Sequence, residues 1–298
     1  MTIVVGYTAQ DSGTSGLELA ILLARSTGEP LVVGVVITTA HAGGTPELVD
    51  GDYLGPLAEW ARSVLDRARA SLPRDVEATF EVRQASSIPA GLLELAAATD
   101  ASVLVLGSSS KGALGRISLG SITDRLAHTA PLPVLLAPRG FRCGPTTRIR
   151  RVSIGYGGSS GAAQLATLGA GLADLVGADL RAVSFLVRPP KRFFGTVEES
   201  ADELVVDEWV TRTRAGIEAQ VGAVDAALGE RLAASLVVGE GVSWNKAIWD
   251  VTWGDGDVLV VGPSSVAPAA RLFLGSRASK ILRSAPVPVL MVPAPRTD

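Results

Sequence analysis

The sequence predicts an α/β fold built from two doubly wound parallel sheets of five strands each, related by an internal repeat. The first observation is a register. Val105-Leu106-Gly107, Leu119-Gly120-Ser121 and Ala130-Pro131-Leu132-Pro133-Val134-Leu135 return as Val261-Gly262, Leu274-Gly275-Ser276 and Ala285-Pro286-Val287-Pro288-Val289-Leu290. Gly262 and Gly275 follow Gly107 and Gly120 by 155 residues each, and the two glycines of each half stand 13 apart. Such a register marks two copies of one folded unit, not a solenoid of short repeats. The second observation is the alternation of short runs rich in Val, Ile and Leu with longer stretches of helical period, which signals βαβ units and a sheet buried on both faces. The third is size: 298 residues, 47% of them hydrophobic and 19% charged, can fill two cores.

In the first half the apolar runs place strands at Ile3 to Tyr7, Leu31 to Ile37, Ala78 to Arg83, Val103 to Gly107 and Val134 to Ala137. Helical periodicity fills the gaps at Ser15 to Ser26, Pro56 to Ser71, Pro89 to Thr99 and Ser121 to His128. The second half repeats the order, with strands at Val152 to Tyr156, Asp179 to Val187, Ala234 to Val238, Val258 to Gly262 and Val289 to Val292, and a longer second helix from Ala201 to Leu228. Between the halves, Pro138 to Thr147 has the Gly, Pro and polar character of a connector. The boundary therefore falls near residue 145, giving one domain over 1–140 and a second over 150–298. Two long loops, His41 to Gly55 and Pro189 to Ser200, follow the second strand of each half, at the carboxyl end where such folds bind ligands, and are candidate lids.

Composition excludes several functions. The longest apolar run, Leu31 to Ile37, is far short of the roughly 20 residues of a membrane span, and Met1 to Val5 reads as a strand rather than a signal peptide. A cytoplasmic protein is expected. One cysteine, Cys143, permits no internal disulfide, and its place in the connector predicts an exposed thiol without a redox role. Two histidines, His41 and His128, argue against a transition-metal site. A net charge of −3, with Arg148, Arg150 and Arg151 forming only a local cluster, argues against nucleic acid.

The chemistry sits at the fourth strand of each half. There the chain leaves the sheet through a glycine, crosses a small-residue loop and opens a helix at Gly-Ser, aiming backbone N–H groups and a helix dipole at one spot that suits a phosphate. The candidate residues are Gly107, Gly120 and Ser121, with Ser121 either capping its helix or meeting phosphate, and Gly262, Gly275 and Ser276 in the second half. Turn and cap chemistry alone also accounts for a Gly…Gly-Ser pattern. Lys111 and Arg116 in one loop, Arg271 and Arg277 around the other, add cations where only a bound anion makes them favourable; solvated surface charge is the other reading. Gly107 to Gly112 is followed by Ala113-Leu114 where a Walker A loop needs Lys and Ser or Thr, which disfavours a phosphate-transfer NTPase. Gly155-Tyr156-Gly157-Gly158-Ser159-Ser160 lacks the last glycine of a dinucleotide fingerprint and reads as a tight turn. No Ser-His-Asp or Cys-His set is present: His41 lies in a loop and His128 ends a helix, where its charge complements the dipole. Trp244, Trp249 and Trp253 share a predicted helix, suited to core or interface packing or to stacking on a base.

Gly107 to Ser121 followed by Asp124 to Pro131, and Gly262 to Ser276 followed by Ile281 to Pro286, together resemble the universal stress protein (UspA) family in tandem, over essentially the whole chain. The resemblance implies a Rossmann-like, adenine-nucleotide-alpha-hydrolase-like domain of strand order 3-2-1-4-5, and pairing of two such domains about a twofold axis through their last strands, here within one chain. In ATP-binding members the loop reads Gly, two residues, Gly, nine residues, Gly, then Ser or Thr. This chain has Ser110 and Ser265 at the second glycine, Pro263 directly after Gly262, and Thr8 and Gly157 where an adenine-contacting aspartate ends the first strand; Asp11 falls in the cap before the first helix. The implied function is a non-catalytic stress-response protein that binds ATP with magnesium in the first half, with a second copy of the chain or other proteins as partners. The alternative is a scaffold or signalling module without nucleotide; a weak ATPase is third, for want of a general base.

Overall fold

In the computed structural model of the chain, residues 2–38, 54–156, 162–187, 207–208, 211–212, 215–216, 226–262 and 276–293 are described. The first half runs β1 (Thr2–Gly6), α1 (Asp11–Thr27), β2 (Leu31–Thr38), α2 (Leu54–Ser71), β3 (Ala78–Ala85), α3 (Ile88–Ala98), β4 (Ala101–Gly107), α4 (Ser121–Thr129) and β5 (Val134–Ala137). The second runs β6 (Arg151–Gly155), α5 (Ala162–Val176), β7 (Asp179–Val187), α6 (Ala226–Ala234), β8 (Val237–Gly241), α7 (Trp244–Asp250), β9 (Asp257–Val261), α8 (Ser276–Ser284) and β10 (Val289–Met291).

The two predicted sheets are one. Ten strands lie in the order β3-β2-β1-β4-β5-β10-β9-β6-β7-β8, so each half has the order 3-2-1-4-5. Within each half neighbouring strands are parallel, and the halves join where β5 meets β10 antiparallel, Val134 opposite Met291 and Leu136 opposite Val289. Side chains alternate across this sheet into two cores. Ile3, Val5, Leu135 and Val260 point into the layer with α1, α2 and α5; Val4, Leu136 and Leu259 point into the layer with α3, α4 and α8. Both layers run through the seam between the halves, which therefore share their apolar cores.

Local chemistry sets the ends. Gly28 closes α1 in the left-handed region, its N–H reaching Ala24 O; Ser87 and Ser243 cap α3 and α7 by accepting from Ala90 N and Lys246 N. Three expectations shift. Helix α1 begins at Asp11, not Ser15, with Gln10 rather than Asp11 at its cap, because Ser12 and Gly16 are small enough to pack against Gly107 at the end of β4 and Gly13 against Thr8. Strand β8 starts at Val237, since helix α6 continues through Ala234. Trp253 lies beyond α7, which stops at Asp250 with Val251 extended. Most of the predicted helix from Ala201, both candidate lids apart from the start of α2, and the Gly157 to Ser160 turn fall outside the described residues.

The connector is fastened to α1. Gly140 N donates to Ser15 Oγ, Arg25 Nη1 to Gly144 O, and Ile149 N to Ser26 Oγ at 2.8 Å. Cys143 is half-buried, not exposed as expected; its Sγ lies 3.3 Å from both Glu18 O and Glu18 Oε2, and burial followed by the hydrogen bond to the Glu18 carboxylate pushes the thiol up to about 11. At the amino ends of β6 and β9, Arg151 binds buried Asp257 with two hydrogen bonds, 3.0 and 2.7 Å, and Asp257 also accepts from Gly254 N. Arg181 lies 3.8 Å from the same carboxylate, donates to Ser153 Oγ and Thr252 O, and stacks on Trp253; desolvation pulls it down to about 10. One arginine of the sequence cluster, Arg151, is thereby absorbed in a structural ion pair.

Candidate functional site

A cavity of ≈ 550 Å³ opens at the carboxyl ends of β1 and β4. Its floor is backbone. Two helices present their first turns to it, α1 through Gln10, Ser12 and Gly13, and α4 through Gly120, Ser121, Ile122 and Thr123. Gly120 is the cap of α4, with φ −81° and no side-chain hydrogen bond, so Ser121 is the first helical residue and does not cap. The first intrahelical bond of α4 is Asp124 N to Gly120 O, which leaves the N–H groups of Ser121, Ile122 and Thr123 without a partner inside the helix. Two dipole ends and these free donors make the region attractive to an anion.

Glycine is required where the two elements meet. A Cβ on Gly107 would stand 1.7 Å from Ser12 O, and one on Gly13 would stand 1.9 Å from Thr8 O. Gly120 is different: a Cβ there meets only Ser109, at 3.4 Å, and its backbone suits any residue. The missing side chain at Gly120 leaves room inside the cavity.

The loop between Gly107 and Gly120 is held by Ser108, which is fully buried. Its Oγ accepts from Ser118 N at 2.5 Å and lies 3.3 Å from Arg116 O and 3.2 Å from Ser118 O. Arg139 fastens the outer turn through a bond from Nη1 to Gly112 O, and its own N–H reaches Arg116 O. The loop backbone is thus held in its course by the hydrogen bonds of Ser108 and Arg139.

Of the predicted residues, Thr8, Gly107, Ser110, Gly120 and Ser121 line the cavity together. Lys111 and Arg116 do not. Lys111 is exposed, and Arg116 crosses the seam to lie 5.9 Å over the ring of Trp249 in α7, so the cation expected to meet an anion instead joins the two halves. Thr8 is exposed and its Oγ1 is 3.5 Å from Ser12 Oγ. In the second half Gly262 follows β9 and lies against Leu165; Ser265 and Gly275 lie outside the described residues, as does the side chain of Ser276, which opens α8.

Sequence reasoning missed the apolar wall. Trp60 of α2, half exposed, stands with Val35, Val36, Ile88, Leu92 and Leu106, and Tyr7, whose phenol burial pushes up, completes it. The Ser-Gly-rich opening of α1 was a signal for close backbone packing; nothing in the local pattern marked Trp60. The described lining contains no acid, histidine, lysine or arginine.

The sequence model of the universal stress protein family matches residues 1–138 and again residues 148–293. The chain belongs to the universal stress protein family. It carries two such domains in tandem. It is 35% identical over 298 residues to Universal stress protein Rv2319c of Mycobacterium tuberculosis, covering 98% of this chain and all of that one. A universal stress protein of Mycolicibacterium smegmatis is 32% identical over 149 residues, 47% of this chain and 99% of its own. The crystal structure of a universal stress protein from Archaeoglobus fulgidus superposes with a TM-score of 0.58 at 16% identity, covering 98% of both chains, and so shares the fold. No described helix is long and apolar enough to cross a membrane.

Proposed function

We propose that this tandem universal stress protein is a cytoplasmic, non-catalytic stress-response protein that binds an adenine nucleotide, ATP with magnesium, in its first half, with domains over 1–140 and 150–298. The observation that carries the reading is the convergence of two helix N-termini on one cavity whose entrance is left open by Gly120. Phosphates sit at the free N–H groups of Ser121 to Thr123, and the base lies toward Trp60 and Leu92. With no charged side chain in the described lining, the hydroxyls of Ser110 and Ser121 would be the groups of this chain nearest to a magnesium ion carried in by the nucleotide, which would supply charge neutralisation of the phosphates. The same lining lacks a general base for water, which supports binding without hydrolysis.

Titration calorimetry with ATP and magnesium is expected to show one site, lost in Gly120→Asp, whose carboxylate enters the cavity beside the phosphates. Equal affinity in that variant defeats the assignment. The second reading, a scaffold acting through a second copy or other proteins, is favoured by Thr8 in the place of an acid and by Arg116 being engaged with Trp249. Protein that is empty by mass spectrometry and gives no heat with ATP selects it.

A further inference from the structure

A second cavity, ≈ 330 Å³, shares no lining residue with the first and lies under the seam, floored by β4, β5, β10 and β9 and walled by α1 and α5. The connector is hydrogen-bonded along α1, to Ser15, Glu18 and Ser26. Helix α5 is held instead by Arg231 of α6, which donates to Asp174, and its stripe Leu168, Leu172 and Leu175 turns into the cavity, with Leu168 45% and Leu175 61% exposed. The rest of the described lining is aliphatic apart from the hydroxyls of Thr27, Ser102 and Thr167, with no aromatic ring and no lysine, arginine or histidine among the described residues. One charged group faces it: Glu29, whose Oε2 accepts from Ser102 Oγ at 2.9 Å while Oε1 takes no hydrogen bond from a described residue.

We infer that this seam cavity binds a small aliphatic amine, its chain against the leucine stripe and its ammonium at Glu29. The volume lies near the lower end of ligand pockets, which start at about 300 Å³, and suits a chain on the order of ten carbons. The lack of a ring in the lining points to an alkyl chain rather than a planar ligand. The lone carboxylate, with no cation in the lining, selects an amine head over an acid.

The test uses the full chain at pH 7 with n-decylamine and decanoate, both below micelle-forming concentrations, in titration calorimetry and native mass spectrometry. One decylamine is expected to bind, and decanoate about tenfold or more weaker, as opposite and like charge beside a half-buried carboxylate dictate. Gly171 lines the cavity and a Cβ there meets nothing within 4 Å, so Gly171→Phe starts a bulky side chain from open space at the cavity wall; Gly171→Leu is the smaller companion. Both are expected to keep the native circular dichroism and lose decylamine, and Glu29→Gln to erase the preference for the amine. Absence of decylamine binding, equal binding of the two heads, or undiminished binding in a folded Gly171 variant overturns the proposal. A concentration-dependent dimer that Leu175→Glu dissociates also overturns it, since a second copy is then the occupant.

Discussion

At the residue scale, glycines in this chain have opposite duties. Gly107→Ala forces a methyl group into Ser12 O and is expected to destabilise by about 3 kcal/mol or more, because backbone rather than a flexible side chain blocks it. Gly171→Ala, on an open helical surface, is expected to stabilise by about 1 kcal/mol. Urea titrations of the two variants check the opposite signs. Cys143 offers a pH test. Its folded value lies near 11 against 9.0 for an ordinary thiol, so the thiol favours the native state fully below pH 9.0, and that contribution is lost as pH rises toward about 11. Replacing Cys143 by Ala is expected to flatten the fall in stability over that window. Iodoacetamide is expected to label the native thiol more slowly than the denatured one, since native packing keeps it protonated and covered.

At the scale of elements, Asp257 neutralises both Arg151 and the more deeply buried Arg181, whose Nη2 has no hydrogen-bond partner among the described residues. Asp257→Ala leaves two cations near the ends of β6 and β7 without their carboxylate, with an expected loss of about 3–5 kcal/mol, read from thermal or urea unfolding. Strands and most helices were legible because apolar runs buried on both faces and helical periods are local patterns. The displaced ends were decided by tertiary contacts. Ser and Gly at the start of α1 are weak helix formers, yet the helix extends to Asp11 because their smallness lets it abut β4; Ala234 stays helical because β8 pairs with β7 only from Val237 opposite Val183. The candidate site divides the same way. Gly107, Gly120 and Ser121 were readable from spacing, since the strand-loop-helix connection fixes where their backbones go. The direction of a long side chain is not fixed by spacing, and so Arg116 was assigned to an anion when it reaches Trp249. Ser108 looked like one serine in a run of three, and only its burial shows that it pins the loop.

At the scale of the whole molecule, the described residues tie the seam through the β5–β10 ladder, two continuous cores and the Arg116–Trp249 contact. Arg116→Ala and Trp249→Ala combined in a double-mutant cycle are expected to show a coupling of about 0.5–1 kcal/mol in stability. If Arg116 belongs to the seam alone, ATP affinity in Arg116→Ala stays within about twofold of the parent, a change worth less than about 0.5 kcal/mol. A tenfold loss restores it to the phosphate site.

Because Val134 and Met291 face each other within a single polypeptide, the docking of one half on the other is a unimolecular event. Dilution does not separate them, and mass action sets no threshold amount of protein below which the joined sheet falls apart. A pair of separate subunits must also keep both surfaces alike, since one gene writes both. Here the two are written independently, so each mouth is free to change without the other, and the partner that completes the sheet is always at hand.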